Sequence, residues 1–166
     1  QWQEPTRLFQ GLESALERSH LPADQLELEV PEQAVAEDPD HSRRVLATLA
    51  DIGVNLTIDN FGEDAMPLTL LGLTPTAKVK LSPSLVTAFL EGGPETEAVR
   101  LVESTCRVAQ GLGLEVVAKG VETDVQCRHL NDRGHTDMQG FYLARPQTAE
   151  ALAPVVSSGQ IPAAAC

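Results

Sequence analysis

Val116-Val117-Ala118-Lys119-Gly120-Val121-Glu122-Thr123 decides the reading of this chain. Three apolar residues run into a lysine and a glycine, the pattern of a short buried strand that stops abruptly. Thr123 and, three residues on, Gln126 then make a capping box, so a helix starts at once. Strand, charged tip and helix follow one another in α/β proteins, where ligands bind outside the carboxyl ends of strands. Lys119 and Glu122 stand at such an end. The same pattern recurs upstream. Leu26-Glu27-Leu28-Glu29-Val30 closes in acid, and Leu56-Thr57-Ile58-Asp59-Asn60-Phe61-Gly62 closes in Asp-Asn and glycine. Ala77-Lys78-Val79-Lys80-Leu81-Ser82 closes in Lys and Ser, and downstream Met138-Gln139-Gly140-Phe141 carries a Gln.

Outward from these strands the spacing predicts helices. Pro5 opens one over 5–19, with Leu8, Phe9, Leu12, Ala15 and Leu16 on one stripe. A second covers 39–52, with Val45, Leu46, Leu49 and Ile52 inward and Gly53 as its C-cap. A weak helix over 64–72 is interrupted by Pro67, and Pro83 opens a short one to Leu90. Pro94 opens the longest helix, in which Val99, Val102, Cys106 and Ala109 repeat at helical spacing until Gly111 and Gly113. Another runs over 123–132, and Thr148 caps a last one to Val156. Strands are expected over 26–30, 54–60, 77–82, 115–119 and 137–143. Residues 157–166, small and proline-containing, are expected to fray. Strand and helix alternate throughout, so the sheet should be parallel. The fold class expected is α/β, a partial TIM-like (β/α) barrel, because five strands fall short of the eight that close one.

Bulk properties bound the function. The chain has 166 residues, one ordinary domain, and is 42% hydrophobic and 22% charged, which is a globular balance. Its formal net charge of -12 repels a phosphate backbone, which argues against nucleic acid as partner while leaving room for one small nucleotide. No apolar run reaches the ~20 residues of a membrane helix. Three cysteines without metal spacing suit a reduced compartment, so a cytoplasmic location is expected. The chain begins with Gln1, not Met, and is expected to be a piece of something longer.

At its strand ends the chain resembles the EAL-domain family, the cyclic di-GMP phosphodiesterases. Leu28-Glu29-Val30-Pro31-Glu32 is similar to the family's L-E-x-T-E, Asp59-Asn60-Phe61-Gly62 to D-D-F-G, and Val79-Lys80-Leu81-Ser82 to K-I-D. Ala118-Lys119-Gly120-Val121-Glu122-Thr123 is similar to A-E-G-V-E-T, and Gln139-Gly140-Phe141 with Arg145-Pro146 to Q-G-Y and its later R-P. All five come in order. The resemblance covers nearly the whole chain and the last two-thirds of the family's domain. The opening strands, with the E-A-L signature and a metal-binding Asn, find no counterpart. The resemblance implies a (β/α)₈-like barrel that hydrolyses cyclic di-GMP with two Mg²⁺ or Mn²⁺ ions.

The resemblance also assigns positions. Glu29 and Asp59 match metal ligands, and Lys80, Glu122 and Gln139 match site positions, Lys80 being the one near the attacking water. Asn60 replaces a metal-binding Asp, Ser82 the Asp of K-I-D, and Lys119 the Glu of A-E-G-V-E. A ligand pocket of Glu29, Asp59, Asn60, Lys80, Ser82, Lys119, Glu122, Gln139 and Arg145 is therefore expected, with no metal of its own and Glu29 and Asp59 as residual ligand positions. Bland alternatives stand beside each. Asp59-Asn60 also suits a turn, and Glu122 also suits a helix start, where the dipole favours an acid. Gln139 also suits a backbone-satisfying role, and His129 and His135 read as surface. The function expected is a degenerate module of cyclic di-GMP signalling, acting by protein contacts or weak nucleotide sensing, with a possible homodimer. The other reading is a working phosphodiesterase completed by missing strands or a second chain. In both, protein partners or further signalling domains are expected.

Overall fold

The structure is a computed structural model that describes residues 4–63, 66, 68–72, 74–93 and 96–158. In chain order the elements are α1 (Pro5–Ser19), β1 (Glu27–Pro31), α2 (Glu32–Glu37), α3 (Pro39–Ile52), β2 (Asn55–Phe61), α4 (Leu68–Leu71) and β3 (Lys78–Leu81). Then come α5 (Pro83–Glu91), α6 (Glu97–Leu112), β4 (Glu115–Lys119), α7 (Asp124–Asp132), β5 (Met138–Gln139) and α8 (Ala149–Ser158). The five strands form one sheet in sequence order, and every neighbouring pair is parallel. Helices connect the strands, as parallel pairing requires.

Period-two alternation gives this sheet two unlike faces. Val30, Ile58, Val79 and Val116 are register neighbours across four strands, as are Leu81, Ala118 and Met138 across three. They make the outer face, against which the helices pack. Val45, Leu46 and Leu49 of α3, Phe89 of α5 and Val99 and Val102 of α6 complete that core. The inner face carries Glu27, Glu29, Thr57, Asp59, Lys78, Lys80, Glu115 and Lys119, each displaced one residue from an outer neighbour.

Local signals worked where the chemistry was local. Gly53 and Gly113 end α3 and α6 at φ 96° and 73°, a region open to glycine. Thr123 accepts from the Gln126 amide at 3.2 Å, and the Gln126 side chain accepts from the Thr123 amide at 3.0 Å, closing the capping box.

Four expectations need correction. The strand expected over 137–143 is only Met138–Gln139. Beyond it the Tyr142 amide donates to the Val121 carbonyl at 3.1 Å, and the Leu143 and Ala144 amides donate to Gly140, which curls the chain into a turn. The longest helix starts at Glu97, capped by Thr96, and not at Pro94, which lies outside the described residues. The helix expected over 64–72 is confined to Leu68–Leu71, with Pro67 outside the described residues, and α2 was not foreseen at all. Ser157 and Ser158 belong to α8, and the rest of the expected frayed tail, 159–166, lies outside the described residues.

Candidate functional site

The carboxyl end of the sheet is shaped by a β-bulge in β2. Ile58 pairs with Val79 and Phe61 with Leu81, so Asp59 and Asn60 together stand opposite the single residue Lys80. Both can then turn to the inner side. The bulge needs a left-handed residue, and Asn60 supplies it at φ 56°, a conformation that Asn tolerates better than most side chains.

Lys119, the last residue of β4, reaches across β3 into this bulge. Its Nζ donates to Asp59 Oδ1 at 2.7 Å and to Asn60 Oδ1 at 2.8 Å. The Lys119 and Asp59 side chains are 17% and 16% exposed, so the pair is shielded from solvent screening more than a surface pair. One ammonium thus holds the oxygens of both bulge residues.

A second group of ion pairs runs across the inner face below it. Lys80 Nζ pairs with Glu29 and lies 3.9 Å from Glu27. Lys78 Nζ lies 2.7 Å from Glu27 and 3.4 Å from Glu115. Burial alone would raise the Glu27 carboxyl, but the hydrogen bond from Lys78 and the charges of Lys78 and Lys80 outweigh it and hold the group below its ordinary value. The same hydrogen bond holds Lys78 above its ordinary value, against burial.

The other candidate positions divide. Gln139 sits beside Lys119 in register, and both line a cavity of about 300 Å³ with Pro83, Gly120, Glu122, Gly140 and Phe141. Glu122 is exposed at its rim, and its amide donates to the Gln126 side chain at 2.8 Å, which fits the helix-start reading as well as the pocket one. Ser82 is fully buried and caps α5, its Oγ accepting from the Leu85 amide at 3.2 Å. Arg145 is exposed and lies over the Phe141 ring, 5.1 Å from its centroid, at the edge of the cavity.

Two residues take roles that their sequence context did not announce. Glu32 is 1% exposed. Its carboxylate accepts from the amides of Gly62 at 2.8 Å, Glu63 at 3.1 Å and Met66 at 3.2 Å, and so ties down the loop after the bulge. Charge-assisted bonds to backbone amides offset the cost of burying the acid. A carboxylate directly after a strand and a proline was the available signal. His135, expected at the surface, is half-buried, its ring edge-on to Phe89 at 5.4 Å. His129 is likewise partly buried and lines a small cleft between α5 and α7.

The donor set can be weighed against a divalent ion. Mg²⁺ and Mn²⁺ need several anionic or carbonyl oxygens around one point. Here Asp59 and Asn60 face the Lys119 ammonium, and Glu29 faces Lys80. Among the described residues no three His, Cys, Asp or Glu side chains are placed to hold a metal ion. As arranged, the residues present do not fit the pair of ions.

Comparison with known proteins agrees with the strand-end pattern. Residues 1–146 match the EAL domain family model. The bifunctional diguanylate cyclase/cyclic di-GMP phosphodiesterase MucR of Pseudomonas aeruginosa is 32% identical over 145 residues, which are 87% of this chain and 21% of that protein. The cyclic di-GMP phosphodiesterase NbdA of the same organism is 33% identical over 87% of this chain and 18% of its own length. The chain thus spans about a fifth of these relatives. A structure of the MucR phosphodiesterase in complex with c-di-GMP superposes with a TM-score of 0.79 at 32% identity, over 87% of this chain and 57% of that one. The EAL domain of Mycobacterium smegmatis DcpA gives 0.78 at 28% identity, over 92% and 67%. Fold, family model and relatives agree: the chain belongs to the EAL-domain family of cyclic di-GMP signalling, whose members have a TIM-like barrel.

Proposed function

We propose that this chain is a non-catalytic module of cyclic di-GMP signalling, acting through protein contacts or weak nucleotide sensing. The observation that carries the reading is the Lys119 ammonium held between Asp59 and Asn60. Against the family pattern, Asn60 and Ser82 each remove one negative charge and Lys119 reverses another. A lysine ammonium ~4 Å from a divalent ion, at an effective dielectric of ~20, repels it by about 8 kcal/mol. That is roughly six powers of ten in affinity. The ammonium neutralises the acid that remains and takes the place of the ion. A homodimer and a cytoplasmic setting belong to the same reading. No helix among the described residues is long and apolar enough to cross a membrane.

Calorimetric titration with cyclic di-GMP, with and without Mg²⁺ or Mn²⁺, tests this. Weak or absent binding that is indifferent to metal is the expected result. Lys119→Glu should gain Mn²⁺ affinity without releasing linear pGpG, because Asn60 and Ser82 still leave a second ion short of oxygens. The competing reading, an active phosphodiesterase, draws on the activities named for MucR and NbdA. Metal-dependent pGpG release by the unmodified chain would establish that reading and sink ours.

A further inference from the structure

The amino end of the sheet, far from the mouth, has its own cluster of titratable groups. A cleft of about 400 Å³ lies between α6, the start of β4 and the loop 133–137 that leads into β5. His135 sits in its wall. Its ring meets Phe89 edge-on at 5.4 Å, and its Nδ1 lies 3.8 Å from Cys106 Sγ. Arg133, two residues earlier, places its guanidinium 4.8 Å from the centroid of the same Phe89 ring. Phe89 is 1% exposed, so loop 133–137 is anchored through an aromatic ring that belongs to the core.

The loop also sets β5. The Ala118 amide donates to the Asp137 carbonyl at 2.9 Å, and the Val121 amide donates to the Gln139 carbonyl at 3.1 Å. Beside those two bonds, β5 has two register pairs among the described residues, Ala118 with Met138 and Lys119 with Gln139, and Met138 Sδ lies 3.7 Å from Cys127 Sγ. So short a strand depends on what fixes the loop before it.

We propose that loop 133–137 is a proton-operated latch on β5: neutral His135, seated on Phe89 and Cys106, holds β5 in register beside Lys119, and protonation of that imidazole unseats it. The surroundings favour the neutral ring. An imidazolium must keep its hydration or find a paired acid. α5 offers it Phe89, and α6 offers Cys106, Arg107 and Glu103, the last 3.7 Å from Arg107. β4 contributes Glu115, which faces Lys78 at 3.4 Å, and the loop itself contributes Arg133 and Asp137. Burial first, and the Arg133 charge second, hold the His135 value below that of a free histidine, with Glu103 pulling the other way. The sign follows: the folded chain resists the proton that the unfolded chain accepts, so the latch is whole above the free-histidine value of roughly 6.5 and weakens as the pH falls below it.

Amide hydrogen exchange at Ala118 and Val121, corrected for intrinsic rates, tests the latch together with imidazole NMR titration over roughly pH 5 to 8, where histidine changes charge. Protection at both amides should fall severalfold on the acid side. His135→Phe keeps a ring against Phe89 without a titrating group and should make the response flat. His135→Gln serves if the phenylalanine variant does not fold, and should lose the pH response while showing weaker protection throughout. An equal response in the wild type and a folded variant overturns the proposal. So does a His135 that titrates at or above the free-histidine value, a measurement that needs no variant. Neither readout involves cyclic di-GMP, so the latch stands or falls apart from the signalling role.

Discussion

The same five strands present an outer face that could belong to any α/β protein and an inner face that could belong to few. Outside, Leu56, Ile58, Val79 and Leu81 are buried under helices and are at most 1% exposed. Inside, one residue along each strand, acids and lysines pair across strand boundaries. Backbone geometry is common to both, so the difference lies in what each face loses when one side chain changes. The outer face loses contact area, which is non-directional and large. The inner face loses one partner of a directional pair, which strands the other.

Mutations can break or sharpen this contrast. The largest effect is expected outside, where Ile58→Ala should destabilise the fold by about 2–5 kcal/mol in denaturant melts. Should it cost less than any inner-face change, the contrast fails. Lys119→Met comes next, at about 1–3 kcal/mol, because the largely buried Asp59 is left without its cation. The double variant Lys119→Met/Asp59→Asn should recover much of that loss, and a double-mutant cycle in melts reads the coupling.

Glu27→Gln should cost about 1 kcal/mol, since the Glu27–Lys78 pair is partly open to solvent. Its contribution has a definite pH sign. A carboxylate held below its ordinary value stabilises the fold above the unfolded value of roughly 4.3 and loses that as the pH drops. Lys78, raised, stabilises at neutral pH and loses its contribution only as the pH climbs through its folded value. Wild-type and Glu27→Gln melts should therefore converge in acid. Smallest is Asp40→Asn, whose exposed pair with Arg43 should be worth under about 0.5 kcal/mol and vanish in salt.

How much of this was legible in the sequence depended on range. Caps and glycine stops are decided within four residues, so Thr123, Gln126, Gly53 and Gly113 were readable. The alternation of apolar and charged residues marked the strands, and the alternation of strand with helix their parallel pairing. What failed was decided elsewhere in the chain. Met138–Gln139 is cut short by Tyr142 turning back on Val121, which no pattern within 137–143 announces. Ser82, aligned with an acid by resemblance, is recruited by the helix that follows. Glu32 meets amides thirty or more residues away, and His135 meets a thiol 29 residues away. Asp59 and Lys119 were both placed in the expected pocket, but the bulge explains how Lys119 reaches Asn60 as well as Asp59.

The left-handed bend at Asn60 bears on how this protein could be remade. Asp shares with Asn the tolerance for that bend. A change from Asn60 to Asp would need no new turn and no relaxation of the neighbouring strands. At that position the obstacle to rebuilding an acidic mouth is thus chemical, held in one side chain, while the bend that would aim it already exists. An engineer could leave that bend untouched and begin with Asn60 and Lys119.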